Sequence, residues 1–191
     1  GAKILYIDNL NPERIGVTLR QIANDDWDAI VVPHSLIDRF TLKRESLMEI
    51  SREQIEALEQ EAIEAAQEDG VGLSVEDMDD EEAMKKVRSA TAKQLVHARN
   101  AILKKIEEMA LRSSKEDAIS FEDMGIDMII VDEAHEFKKP PLATRMRMKG
   151  LNTGTSNQSI SLMFLTDYVK RLNAGRGVHL FTGTPITNTM T

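Results

Sequence analysis

The chain has 191 residues, 41% of them hydrophobic, and a formal net charge of −8. That length carries one ordinary domain, or a domain with an appendage, and the acidic balance argues against a small module that coats nucleic acid while leaving room for a machine that grips it through one local face. With no cysteine, disulfides and thiolate metal sites are excluded and a reducing, cytoplasmic setting fits; no apolar run reaches the ~18 residues of a membrane-spanning helix, and the opening GAKILYIDNL lacks the basic-then-apolar pattern of an export signal.

Residues 3–7, KILYI, read as a short strand. Asn11 is a suitable helix cap with Pro12 at the first helical position, and Ile15, Leu19 and Ile22 recur on one face. DAIVVPH then forms a nearly continuous apolar run, the pattern of a strand buried on both faces. Strand, helix, strand in so short a span is a βαβ unit and predicts a parallel sheet.

From Lys43 the period changes. Met48, Ile55, Leu58, Ala62 and Ala65 form a three-four seam on a Glu-rich helix, which EDGVGLS (68–74) interrupts with glycines. A second long helix is expected from about Asp79 to Ser113, with Val87, Leu95, Ala98, Ile102, Ile106 and Met109 on one face. Two such helices fold back as an antiparallel hairpin. Residues 45–82 are dense in Glu and Asp, whereas 85–105 carry Lys and Arg and no acid, so the arms complement each other. The span 43–113 is far longer than an ordinary crossover and reads as an insertion standing off one α/β lobe, between its first part, 1–42, and its second part, 114–191.

That lobe resumes at FEDMGIDMIIVDEAHEF, where Gly125 punctuates and Asp127–Val131 forms a buried strand. KKPPLATRMRMKGLNTGTSN has loop composition. SNQSISLMFLTDYVKRLNAG is a helix capped by Ser156 or Asn157, with Leu162, Leu165 and Val169 inward and Gly175 at its end. A last strand, Val178–Phe181, runs into Thr182-Gly183-Thr184-Pro185.

Parallel α/β sheets bind ligands beyond the carboxyl ends of their strands. Both polar clusters lie there: Asp132-Glu133-Ala134-His135 after one strand, the Thr-Gly-Thr-Pro turn after the next. Adjacent carboxylates at a buried strand's end repel each other unless a cation faces them. Asp132 is placed to hold Mg²⁺ through water, and Glu133 to polarise an attacking water as general base. Successive side chains of an extended chain point oppositely, so the pair must bend at the strand end to serve one site; the small Ala134 permits it. His135 is within reach of a hydroxyl on Thr182 or Thr184, joining the clusters.

VDEAHEFKKP (131–140) followed by LFTGTPITN (180–188) resembles motifs II and III of superfamily-two helicases, nearest the Swi/Snf-like branch. With DWDAIVVPHSLIDRF, FEDMGID and GLNTGTSNQS, nearly the whole chain is similar to the large helicase-like proteins of phages, plasmids and mobile elements, many of which also carry an adenine-specific DNA methyltransferase region. The resemblance implies a partial RecA-like lobe carrying an inserted helical hairpin. It implies an ATP- and Mg²⁺-dependent DNA helicase or translocase in which Asp132 coordinates the metal through water, Glu133 activates the hydrolytic water, and His135 with the turn 182–185 couples hydrolysis to movement. It further places His34 and Ser35, in VVPHS, at a DNA-backbone contact. No GxxxxGK[ST] phosphate loop occurs in these residues; the resemblance implies that it precedes Gly1 and that a second motor lobe follows Thr191. The chain alone is then expected to bind and hydrolyse nucleotide poorly, and an unpaired sheet edge is expected to favour dimerisation.

Other readings start from the same residues. HExxH begins at His135, but position 139 is Lys, which removes the zinc-protease pattern. Lys138, Lys139, Arg145, Arg147 and Lys149 are either phosphate contacts or a solvated loop. Trp27, the only tryptophan, is expected to anchor the core rather than stack a base. A different class of function, a non-catalytic interaction module working through the helical hairpin, remains the alternative to a motor, and a restriction or anti-restriction translocase the alternative to a strand-separating helicase.

Overall fold

In a computed structural model, which describes residues 1–7, 14–114, 118–137 and 156–183, strand β1 (Ile4–Tyr6), helix α1 (Ile15–Asn24) and strand β2 (Ala29–Val31) follow one another. β1 and β2 pair in parallel, Leu5 opposite Ile30 and Tyr6 opposite Val31. The proposed cap Asn11 and Pro12 lie outside the described residues. Trp27 is half-buried rather than a core anchor: its indole N–H donates to the Gln21 carbonyl at 3.2 Å, and the Lys3 ammonium sits 4.4 Å above its ring.

After β2 a short 3-10 helix, His34–Arg39, leads to α2 (Arg44–Glu68), a 3-10 turn Glu76–Asp79, α3 (Glu81–Lys86) and α4 (Ala90–Ser113). The single second helix expected from about Asp79 is thus two. Asp80 caps α3 by accepting from the Glu82 N–H, and Ser89 caps α4 by accepting from the Ala92 N–H. Between them Val87 is driven inward, 1% exposed. α2 and α4 run antiparallel: Leu47, Ile50 and Leu58 share one cluster with Ile102, Ile106 and Met109, while Ala62, Ala65 and Ala66 share another with Val87, Ala92 and Val96. Met48 is exposed and Leu47 is buried in its place, so the seam starts one residue earlier than the periodicity suggests.

The proximal half of this helical pair does not stand off from the α/β elements. Its cluster also contains Ile7, Ile22, Leu36, Phe40, Phe121 and Phe164, so one core runs from β1 through α2 and α4. Burying each such side chain contributes about 1.5–3 kcal/mol, which makes the pair integral to folding. The alanine-rich distal half holds a smaller core of its own.

A 3-10 turn, Phe121–Met124, leads to β3 (Ile129–Val131), a further 3-10 turn Ala134–Phe137, α5 (Asn157–Leu172) and β4 (Val178–Leu180). Ser156 caps α5, accepting from the Ser159 N–H, and Leu162, Leu165 and Val169 are buried. β3 and β4 pair in parallel, Ile129 opposite Val178 and Val131 opposite Leu180. Among the described residues the strands form two separate two-stranded sheets rather than one. Strands of three residues offer few ladder bonds, and the two pairs are held through the core: Leu5, Ile30, Ile129 and Val178 all pack against the main cluster.

Candidate active site

The register of β3 on β4 is fixed where α5 ends. Gly177 has φ +85, and a Cβ there would lie 2.7 Å from the Asp127 carbonyl and 2.8 Å from the Asn173 amide nitrogen; only glycine permits that approach. Asn173 Nδ2 donates to the Asp127 carbonyl at 2.6 Å and to the Val169 carbonyl at 3.1 Å, tying the last turn of α5 to the chain entering β3. The ladder then runs from Ile129 N–H on Gly177 O (2.8 Å), through Phe181 N–H on Val131 O (2.8 Å), to Ala134 N–H on Phe181 O (2.8 Å). The last bond lies beyond β3, so the acidic turn is pinned to the neighbouring strand.

Val131 is buried and both acids after it are exposed. The bend required at this point is made at Glu133, whose φ is +47. Left-handed backbone at a non-glycine residue costs of order 1 kcal/mol. It is held by the Ala134 bond, by Glu136 N–H donating to Glu133 O at 2.9 Å, and by Glu133 N–H donating to Asp132 Oδ1 at 2.9 Å.

His135 occupies the centre. Its Nδ1 lies 3.1 Å from Thr182 Oγ1 and 3.0 Å from Glu133 Oε2, and its Nε2 lies 3.3 Å from Glu136 Oε1. A carboxylate only accepts, so a proton on Nδ1 is shared between Glu133 and Thr182, and a proton on Nε2 faces Glu136. The strand-end clusters of β3 and β4 therefore meet through His135 and Thr182, as the strand order demands. Glu133, His135 and Thr182 converge, Asp132 is joined to them through its bond from the Glu133 N–H, and Gly183 lies immediately beyond. Thr184, Pro185, Lys138, Lys139, Arg145, Arg147 and Lys149 lie outside the described residues.

His34 approaches from the other sheet. Its ring centroid is 4.7 Å from that of Phe137, tilted by 58°, which sets the start of the 3-10 helix 34–39 beside the end of the acidic turn. Ser35, next to it, is exposed. Phe137 was not singled out by sequence reasoning; the available signal was an aromatic side chain directly after the acidic motif, which has to pack on something.

Among the described residues no group of three or more His, Cys, Asp or Glu could hold a metal by itself. The donor set still fits Mg²⁺: this ion keeps most of its waters and takes one or two carboxylates together with substrate phosphates. Asp132, exposed and with one oxygen committed to the Glu133 N–H, is a donor of that kind. A shallow concavity lined by Ile50, Glu53, Ala57, Asp167 and Lys170 shares no residue with this site. Among the described residues no helix is long and apolar enough to cross a membrane.

Part of the chain is 38% identical over 72 residues to "Defense against restriction protein B" of Escherichia phage P1, a match covering 36% of this chain and 3% of that protein. The chain thus spans a small part of that relative's length. No solved structure matches. Across residues 1–191 the chain matches the family described as "Probable helicase domain", and it belongs to that family of helicase domains.

Proposed function

We propose that this domain is part of the first, RecA-like lobe of a motor that hydrolyses ATP to move on DNA. The observation that carries the reading is the 3.1 Å contact between His135 and Thr182, because it unites an acidic pair and a threonine-rich turn at the carboxyl ends of neighbouring parallel strands. Bound Mg²⁺ would supply charge neutralisation between the outer phosphates. Asp132 would hold that ion through its waters, using the carboxylate oxygen that does not bond the Glu133 N–H. Glu133 takes the proton of the attacking water as that water's oxygen bonds to the terminal phosphorus and the bond to the bridging oxygen breaks, releasing nucleoside diphosphate and phosphate. His135 orients the Glu133 carboxylate and passes its position to Thr182 and the turn 182–185. His34 and Ser35, with Lys138, Arg145 and Arg147, supply DNA-backbone contacts.

The test is DNA-stimulated ATP hydrolysis by the polypeptide that carries this lobe with the rest of the motor. Glu133→Gln keeps an acceptor oxygen for His135, so the turn survives while the base is lost. Turnover is expected to fall about 10²–10⁴-fold, the usual contribution of a positioned base, with nucleotide binding retained. Unchanged turnover would reject the assignment.

A second reading keeps the motor and places it in defence against restriction, favoured by the similarity to the phage P1 protein of that name. Infection of restricting cells by phage carrying Glu133→Gln would separate it, since a motor without that task leaves plating efficiency unchanged.

A further inference from the structure

Lys105 is 2% exposed, a position an ammonium occupies only with a partner. It lies on α4 between Ile102 and Met109, both members of the main core. Its Nζ is 2.9 Å from Asp38 Oδ1, and the same oxygen accepts from the hydroxyl of Ser161, on α5, at 2.6 Å. The Asp38 carbonyl accepts from Arg112 Nη1, near the end of α4. Three donors from two helices thus converge on one residue of the 3-10 helix 34–39. Burial by itself would raise the Asp38 carboxyl, but the hydrogen bonds from Ser161 and Lys105 outweigh it and hold the group below the ordinary carboxylate value, so it stays charged. One turn back along the same 3-10 helix, His34 rests on Phe137. The helical pair, the helix leading into β4 and the acidic turn are therefore linked through a short element with one polar anchor.

We propose that Asp38 is a positioning residue: clamped by Lys105 and Ser161, it holds the 3-10 helix so that His34 stays on Phe137, and through that ring contact the helical pair sets how the DNA-facing segment is presented to the acidic turn. The DNA part of this statement rests on the motor reading above; the ring contact does not. The general alternative, that the buried pair only stabilises the fold, predicts that neutralising both partners together leaves the rings in place.

The experiment uses Asp38→Asn/Lys105→Met, which removes both charges and leaves neither unpaired. In the 191-residue chain, wild type is expected to show ring-to-ring proton contacts between His34 and Phe137 by NMR, and the double variant to lose them while unfolding cooperatively. In the polypeptide carrying the motor, the DNA concentration for half-maximal ATPase stimulation is expected to rise about tenfold, equivalent to about 1.4 kcal/mol, with DNA-free turnover unchanged. Ring contacts that persist in a folded double variant overturn the proposal, as does an unshifted DNA response. Ser161→Ala, which keeps the ion pair, is expected to show the same changes in smaller degree; if the double variant does not fold, an unaltered Ser161→Ala overturns the proposal. A wild-type motor with no ATPase sinks the motor reading, and the ring contacts then decide the anchoring role alone.

Discussion

Arg99 carries, in one planar fork, the joint between the two arms of the helical pair. It is 6% exposed; its Nε donates to Glu59 at 2.8 Å and its Nη1 to Asp79 at 2.6 Å and to Asn100 Oδ1 at 2.8 Å. Burial pulls its pKa down, but the carboxylates of Asp79 and Glu59 more than compensate and raise it. A lysine ammonium cannot reproduce donors aimed in those directions. Arg99→Lys is expected to destabilise the chain by about 1–3 kcal/mol, at the level of a disrupted charged hydrogen bond, as a lower urea midpoint with an unchanged slope; an unchanged midpoint would show that the fork geometry is idle. At this scale the site was legible where residue types conflict with their setting: acids directly after an apolar run, threonines around a glycine after another. Asp38 and Phe137 were not legible, because an Asp in LIDRF or a Phe after AHE looks ordinary until the partner, distant in sequence, is known.

At the scale of elements, helix periodicity located α2, α4 and α5, and the apolar runs located the strands, since burial in one core repeats at the period of each element. What the periodicity missed was where capping beats continuation: Ser89 starts a new helix, and the break lets Val87 fill the distal core. It also gave no sign of how the ends of the helical pair are closed. Phe121 N–H donates to Thr41 O at 2.7 Å, Lys43 N–H donates to Glu122 Oε1 at 2.8 Å, and the Lys43 ammonium lies 2.9 Å from Asp123 Oδ1. Asp123 also accepts from the Ser120 hydroxyl at 2.5 Å. These contacts, Ser120 foremost and Lys43 next, lower the Asp123 carboxyl from 3.8 to about 2. With the folded value depressed, the unfolded chain takes up the proton first, so the contribution is complete above about pH 5, shrinks as pH falls through about 4, and is gone only below the folded value, toward about pH 1. The carboxylate is 41% exposed, so solvent screening keeps the effect below about 1 kcal/mol. Asp123→Asn is expected to flatten the dependence of the unfolding midpoint on pH between about 5 and 2 while lowering the midpoint at pH 7; parallel acid profiles for the two proteins would contradict it.

Across the whole molecule, the strands cover only one face. Leu5, Ile30, Ile129 and Val178 turn to the core, while the alternating positions do not: Tyr6 is 65% and Ile130 64% exposed, and Val31, Met128 and Phe181 are exposed with them. The register puts Tyr6 beside Val31 and Ile130 beside His179, so these side chains share the outward face of their own sheet. The near-continuous apolar runs in the sequence announced strands meant for burial on both sides, and the chain as described buries one. Apolar surface grouped in this way behaves as an association surface rather than as scattered exposure. The 191-residue chain is therefore expected to bind a hydrophobic dye while fully folded. Tyr6→Thr/Ile130→Thr keeps side chains that suit strands and removes the greasiest outward positions. Dye fluorescence should fall severalfold, with the unfolding free energy changing by no more than about 0.5 kcal/mol per site, as for other surface substitutions. Sedimentation at increasing concentration reads the same surface independently: self-association that weakens in the variant assigns the face to contact between copies, whereas strong dye binding that ignores both substitutions would mean the apolar surface lies elsewhere.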